Sequence, residues 1–457
     1  KENTHYIETQ RTGDGGIMMS TNAIDSNGYW LIDNWAALAG LTCYQYICDT
    51  LYELNGDETY LTESEWSQNQ YDELLAATEK KQAEMREKYD YPYLSIDMNV
   101  PTEQSARSDA RDANWASMFL FGRWSWDGYL FGAEQEGSEM INLNDDTYTH
   151  GFERREDISD SIYNFGGYPH GYYCSAYNAG YGSAALRGEE YRDSGIKAYQ
   201  FMIENAMSGP FGWWEGVDYP NENSPWDIDH AAGGGGSCQH MWGQSTATKV
   251  LFDSLIAVKS DGTAIVGRGI PAEWIVEGEK IEIADYPVSN GARMGYSIET
   301  EGKTVTVTFT GDNSNTPVSL ELLAFKDNIA SAEGFEYDEA AGIVTVPAGT
   351  KSVTVVLKED INDRVEKEEA IKAVEDALDS VKDFDPSLYT TSSANALTSA
   401  IETAETLLAD ENATVEALNA AAAAVTEAAD KLVALSVGEI GIDYNGKYVN
   451  TYRFGDK

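Results

Sequence analysis

Four carboxylates stand out because each sits among aromatic rings. Glu215 follows Trp213-Trp214 inside a loop bounded by Gly212 and Gly216, and Asp33 precedes Asn34-Trp35 at the opening of a helical run. Asp127 closes Arg123-Trp124-Ser125-Trp126-Asp127-Gly128, and Asp229 ends Pro225-Trp226-Asp227-Ile228-Asp229. Rings desolvate a neighbouring carboxyl and raise its pKa, which suits proton transfer. Two such groups can cleave a glycosidic bond, one as acid and the other as base or nucleophile. Their gap is roughly 6.5–9.5 Å for inversion and about 5–5.5 Å for retention. Each group also has a structural reading: loop carboxylate for Glu215, helix-end cap for Asp33, Asp-Gly turn for Asp127. Glu8 and Asp14, in the leading segment, are weaker candidates.

The rings themselves are candidate sugar platforms, since the C–H face of a pyranose is apolar and its edge polar. Trp35, Trp124, Trp126, Trp213, Trp214, Trp226 and Trp242 form that set, with His240 placed to bond a hydroxyl. Any single Trp is more readily a core residue; the clustering favours a ligand. His170 is a further polar candidate.

Metal chemistry has little support. Cys238-Gln239-His240 lacks an evident third ligand. Asn142 to Thr147 reads as an acidic loop whose oxygens suit structural Ca²⁺, without an EF-hand pattern. The expectation is no cofactor. The Gly233–Gly236 run has no following Lys-Ser or Lys-Thr, so it is not a phosphate loop. Gly243-Gln244-Ser245 lies in a helical run, where a nucleophile elbow would need a strand.

These residues need elements to hold them, and the composition shifts along the chain show three kinds. Ten of eleven Trp lie before residue 258. Residues 1–257 read as helices joined by long loops: Trp30–Leu54, Tyr71–Tyr89, Ala110–Phe121, Tyr177–Leu186, Tyr191–Met207 and Gln239–Val258. The loops 140–170 and 208–238 are long enough to be functional. Residues 258–358 alternate, as in Thr304–Phe309 and Val353–Leu357, which predicts a β-sandwich. Residues 359–436 carry narrow apolar seams at Ile371, Val374, Leu378 and Val381, at Leu397, Ile401, Ala404 and Leu408, and at Val415, Leu418, Ala422, Val425, Ala429 and Leu432. Turns at Pro386 and Asp410 divide them, predicting a three-helix bundle. Residues 437–457, with Asn445-Gly446, predict a β-hairpin that starts a further domain.

Charge narrows the partners. The formal net charge is −46 over 457 residues, with 77 acidic side chains against 31 basic. Such a chain repels nucleic acid and anionic headgroups. No apolar run long enough to span a membrane occurs. The opening Lys1-Glu2-Asn3 reads as a cut into a longer protein. Four cysteines without a CxxC pair permit export without a disulfide framework.

Tyr29–Leu38 resembles the helix opening of six-hairpin glycoside hydrolases, which fold as an α/α toroid. Gly209–Gly216 followed by Gln239–Gln244 is similar to their last substrate loop and closing hairpin, and Gly267–Trp274 to the entry of a trailing β-domain. Residues 359–436 resemble the FIVAR modules of Gram-positive surface proteins. The resemblance implies a secreted or surface-attached bacterial glycosidase acting on a carbohydrate. A complete toroid takes more residues than 1–257 supply. Its first hairpins are therefore missing, or come from a separate N-terminal chain or segment. Two rivals stand beside this reading: a polysaccharide lyase, for which basic residues are sparse, and a non-catalytic glycan-binding or spacer surface protein.

Overall fold

The computed structural model describes residues 1–22, 27–99, 127–132, 139–158, 173–174, 186, 192, 195–196, 199–200, 203, 207–210, 212–217, 235–410, 412–440 and 450–454. Helices and several largely antiparallel sheets make up these residues. Packing divides the chain into two units. One holds Lys1–Pro271, Glu282–Ser297 and Val307–Val353; the other holds Ala272–Ile281, Ile298–Thr306 and Thr354–Lys457.

The first unit opens with α1 (Glu2–Gln10), α2 (Leu31–Asn55) and α3 (Glu58–Tyr89). Two residues turn the chain between α2 and α3. Gly56 takes φ 70° and returns its N–H to the Tyr52 carbonyl at 2.7 Å. Asp57 then caps α3 by accepting from the Thr59 N–H at 2.9 Å. The result is an antiparallel helical hairpin, with Ser67 donating to the Leu41 carbonyl at 2.8 Å and Thr78 to Asn34 Oδ1 at 3.4 Å. Its apolar seam includes Leu31, Trp35, Leu38, Leu41, Leu74 and Leu75. α3 starts at Glu58, not at Tyr71 as the sequence predicts. Its first turns are too polar to show a period; the cap and the contacts with α2 hold them helical.

A second departure lies at α4 (Glu139–Ile158), where a loop was expected. Met140, Leu143, Tyr148 and Phe152 form its buried face and join the core of the hairpin. Asn142 to Thr147 is therefore helical, not a cation-binding loop. Successive side chains diverge by about 100° around a helix, and Asn144 and Thr147 are buried. Thr147 also accepts the Leu94 N–H at 2.9 Å. Among the described residues no group of three His, Cys, Asp or Glu could hold a metal ion.

The expected loop 208–238 holds strands. β1 (Tyr173–Cys174), β2 (Met207–Gly209) and β4 (Gly235–Cys238) all pair antiparallel with β3 (Gly212–Val217). The expected helix Tyr191–Met207 gives way to β2 at its last residue. Ala110–Phe121, and Tyr177–Leu186 up to residue 185, lie outside the described residues. α5 (Met241–Leu255) runs directly into β5 (Ile256–Val258), three residues short of the helix end expected at Val258.

Two five-stranded sheets fill the β-rich segment. The first has the order β12-β13-β10-β6-β5, from β5, β6 (Ala264–Val266), β10 (Val318–Glu321), β12 (Glu336–Asp338) and β13 (Ile343–Val346); only β6 and β10 pair parallel. The second has the order β11-β14-β9-β8-β7, from β7 (Lys280–Pro287), β8 (Arg293–Glu301), β9 (Thr304–Gly311), β11 (Ile329–Ala332) and β14 (Ser352–Leu357). Alternate residues are buried, such as Val305, Val307 and Phe309 on β9.

In the second unit, α6 (Ile361–Asp379), α7 (Thr391–Leu408) and α8 (Val415–Asp430) form the expected bundle. Val374, Leu397, Ala404, Leu418, Ala422 and Val425 are buried in its core, and Ile371, Leu378, Ile401, Leu408, Val415 and Leu432 pack on them. Side-chain caps begin two helices: Asp360 accepts from Asn362 N–H at 2.9 Å, and Thr414 from Ala417 N–H at 3.2 Å. β15 (Ser436–Ile440) and β16 (Asn450–Phe454) pair antiparallel, Ile440 opposite Asn450. The expected Asn445-Gly446 turn lies outside the described residues. No described helix is long and apolar enough to cross a membrane.

Candidate functional site

Glu215 projects from β3, between the β2 and β4 partners of that strand. The register sets Met207 opposite Trp213 and Cys238 opposite Trp214. The chain then turns from β4 into α5, and the His240 N–H donates to the Trp213 carbonyl at 2.8 Å. This one bond fixes the head of α5 against β3. His240 is also the N-cap of α5: its Nδ1 accepts the Gly243 N–H at 3.1 Å. An accepting Nδ1 assigns the proton of the neutral ring to Nε2.

The electrostatics agree with that placement. Burial pushes the His240 pKa down, while the nearby Glu215 carboxylate pushes it up; the net direction is down. His240 therefore favours the neutral form, with one N–H to offer. Its ring lies 6.0 Å from that of Trp242, at 54°. Trp242 is 41% exposed and Met241 81%. Glu215 and Trp214 are half-buried. The buried Trp214 indole N–H has no hydrogen-bond partner among the described residues. Four of the sequence candidates thus share one locality: Glu215, Trp214, His240 and Trp242.

Asp33 belongs to a different cluster, at the entrance of α2. Its carboxylate accepts a short hydrogen bond from the Thr21 hydroxyl. Thr21 also pairs with Gly28, and its carbonyl accepts the Trp30 indole N–H at 3.3 Å. Asn34, wholly buried, ties this turn down: Oδ1 accepts the Met18 N–H at 3.1 Å and Nδ2 donates to the Trp30 carbonyl at 3.0 Å. Half-burial pushes the Asp33 pKa up, against the hydrogen bond from Thr21. Asp97 joins this cluster, because residue 97 bridges Trp30. Burial pushes its pKa up too, opposed by hydrogen bonds from Asn99 and Tyr29. Nothing in the local sequence around Asp97 marks it; only the pairing with Trp30 does.

Three candidates are corrected. Trp35 is fully buried with its ring edge-on to Phe131, at a centroid distance of 5.1 Å. A ring sealed in the core presents no face to a sugar. Trp213 is 2% exposed and is likewise a packing residue. Asp127 is 4% exposed and ion-paired to Arg268, at 3.3 Å. Arg268 also pairs with Glu321, at 3.0 Å. Gly267, at φ 90°, lies so close to the Glu321 backbone that a side chain would crowd it, which sets Arg268 against that strand. Asp127 is thus a counter-ion whose charge is already committed. Its backbone carbonyl also accepts the Ser260 N–H at 2.8 Å.

Asp14 pairs at the surface with Lys81, at 2.9 Å, and Glu8 is exposed on α1. Trp124, Trp126, Trp226, Asp227, Asp229 and His170 lie outside the described residues. Cys43 and Cys48 are both free on α2, one exposed and one buried.

One cluster escaped the sequence reading. Glu63 on α3 meets His5 Nε2 at 2.7 Å, Lys1 Nζ at 2.7 Å and the Tyr44 hydroxyl at 2.8 Å. The His5 ring stacks on Trp66 with centroids 3.7 Å apart. Burial pushes the Glu63 pKa up, but the bonds from Lys1, His5 and Tyr44 prevail and hold it at about 2. The partners come from α1, the residue before it and α2, so no spacing in the chain announces them.

Comparison with known proteins finds no matching family model, curated protein or solved structure.

Proposed function

We propose that the chain is part of a secreted or surface-attached glycoside hydrolase acting on an extracellular glycan. The observation that carries this reading is the grouping of Glu215 with Trp214, His240 and the exposed Trp242 where β3 meets α5. A half-buried carboxylate beside an imidazole N–H and an open indole face has the parts a pyranose requires. In this reading Trp242 receives the apolar face of the sugar. Neutral His240 donates Nε2–H to a hydroxyl, and Glu215 takes or gives the proton at the scissile bond. Asp33 is the second carboxyl. Its raised pKa suits the acid that protonates the leaving oxygen while water adds at the anomeric carbon. The helical hairpin α2–α3 is then one hairpin of an α/α toroid, the two sheets a trailing β-sandwich, and α6–α8 a FIVAR-like spacer.

The lyase alternative fits less well, because the groups that would neutralise a uronate are sparse: 31 basic side chains against 77 acidic. A second reading, a glycan-binding spacer without turnover, draws on the bundle, whose core is apolar throughout.

The test is digestion of a glycan panel with the chain in its parent protein, products read by mass spectrometry. Sugar release that falls by about a hundredfold or more in Glu215→Gln, with the thermal transition unchanged, supports the hydrolase. Full activity in that variant removes Glu215. Calorimetric binding without any released product favours the spacer, and an unsaturated product absorbing in the ultraviolet favours the lyase.

A further inference from the structure

The hydrogen-bond donor to the Asp33 carboxylate comes from outside its own helix. Thr21, 12 positions earlier in the chain, donates to Oδ2, and Oδ1 has no partner among the described residues. An ionised carboxylate only accepts, so the hydroxyl is the donor. Asp33 lies three places after Trp30, the N-cap of α2, where an acidic side chain commonly turns back onto free amides. It does not do so here. Trp30 makes no side-chain cap, and the Leu31 N–H goes to the Ile96 carbonyl at 2.7 Å. Helix capping therefore does not account for the bond to Thr21.

Thr21 is itself tightly placed. Its N–H and carbonyl exchange two bonds with Gly28, each of 3.0 Å, and the same carbonyl accepts the Trp30 indole N–H at 3.3 Å. A Cβ on Gly28 would meet the Trp30 ring at 2.5 Å, so the ring lies directly on this backbone and only glycine fits. Upstream, the Met19 N–H bonds the Gln10 carbonyl at 2.9 Å, and Ile17 is buried in the core of the hairpin. The Met18 N–H bonds Asn34, the neighbour of Asp33. Donor and carboxylate are thus held in one frame. The backbone of Thr21 is spent on that frame, and its hydroxyl is spent on Asp33.

We propose that Thr21 is a positioning residue for Asp33: it holds Oδ2, fixes the plane of the carboxyl and leaves Oδ1 to deliver the proton. This assignment rests on the reading of Asp33 as the acid of a glycoside hydrolase. In the acid form the proton sits on Oδ1, because Oδ2 already receives the Thr21 hydrogen. Oδ1–H breaks as the leaving oxygen takes the proton, and the electron pair of the cleaved C–O bond stays on that oxygen. Water adds at the anomeric carbon and gives its proton to Glu215. The bond from Thr21 strengthens as negative charge gathers on the Asp33 carboxyl.

Thr21→Val keeps the bulk and the backbone bonds and removes the donor; Thr21→Ser restores it. The Asp33 titration, followed by carboxyl-edited NMR in the full chain, should move up in Thr21→Val, since the lost bond favours the ionised form. It should return in Thr21→Ser. Sugar release by the parent protein should fall about tenfold in Thr21→Val, as loss of a bond to a charged group does. The alkaline limb of its pH profile should move up with the NMR midpoint, and Thr21→Ser should recover both. A residue that merely braces the loop would lower the thermal transition and move neither. The proposal is overturned if the Asp33 titration is the same in Thr21→Val, or if it moves and the alkaline limb does not follow. A parent protein that releases no sugar from any glycan would instead sink the hydrolase reading, while the NMR titration still decides whether Thr21 holds Asp33.

Discussion

The three-helix bundle and the helical hairpin α2–α3 are both antiparallel and both long, yet they are held together differently. The bundle core is Ala, Val and Leu, with Ile at its margin. The hairpin buries Asn34, Ser64, Ser67, Gln70, Thr78 and Gln82 alongside its apolar seam. Small apolar residues let helices approach closely and slide with little penalty. Buried amides and hydroxyls fix one register, because any other leaves them unpaired. Asp33 stands in the first turn of α2, next to the buried Asn34.

That contrast can be broken by mutation. The largest stability effect is expected at Arg268→Met in the first unit. It removes the guanidinium from the buried carboxylates of Asp127 and Glu321 and should cost about 3–5 kcal/mol, read from urea unfolding. A loss below about 1 kcal/mol would mean the pair is solvated. In the bundle, Leu397→Ala should cost about 2–4 kcal/mol through the cavity it leaves. If the two regions unfold separately, calorimetry should show that loss in one transition only.

Asn34→Ala tests the polar side of the comparison. It unpairs the Met18 N–H and removes one of two donors to the Trp30 carbonyl, with an expected cost of about 2 kcal/mol. The loss should be accompanied by a change in Asp33 titration, followed by carboxyl-edited NMR. Thr414→Ala, which removes a cap from α8, should cost about 1 kcal/mol and leave the first unit untouched.

A further effect is expected with pH. Glu63 is held at about 2, below its ordinary value of 4.5, so it stabilises the folded state while ionised. That contribution is complete above about 4.5 and is lost as pH falls towards about 2. Glu63→Gln should flatten the stability profile in this window; an unchanged slope would exclude the cluster as its source.

The bundle was legible because its information is local. Val374, Leu378, Leu397, Ala404, Leu418 and Val425 recur at helical spacing, and that spacing alone selects the buried face. α4 was not legible. Asn142, Asn144, Asp145, Asp146 and Thr147 favour turns in isolation, and a face of Met140, Leu143, Tyr148 and Phe152 overrides them only when a core exists to receive it. Strand β3 was hidden for a related reason: two of its three pairing partners, β1 and β4, lie well away along the chain.

The candidate site divides along the same line. Glu215, Trp214, His240 and Trp242 could be singled out by composition, because rings and carboxylates stand close in sequence. Trp35 could not be told apart from them, since exposure depends on what packs above a helix. Asp127 meets its counter-ion 141 residues away, and Glu63 gathers partners from α1, the residue before it and α2.

Residue type and periodicity by themselves determined the apolar seams, the strand alternation and the acidic character of this chain, since each depends on composition or on neighbours a few positions apart. Which carboxylates are spent on ion pairs, which indoles are sealed, and which groups meet at the head of α5 were decided only by tertiary structure. Burial and charge pairing depend on distance in space, and a linear order of residues does not carry it.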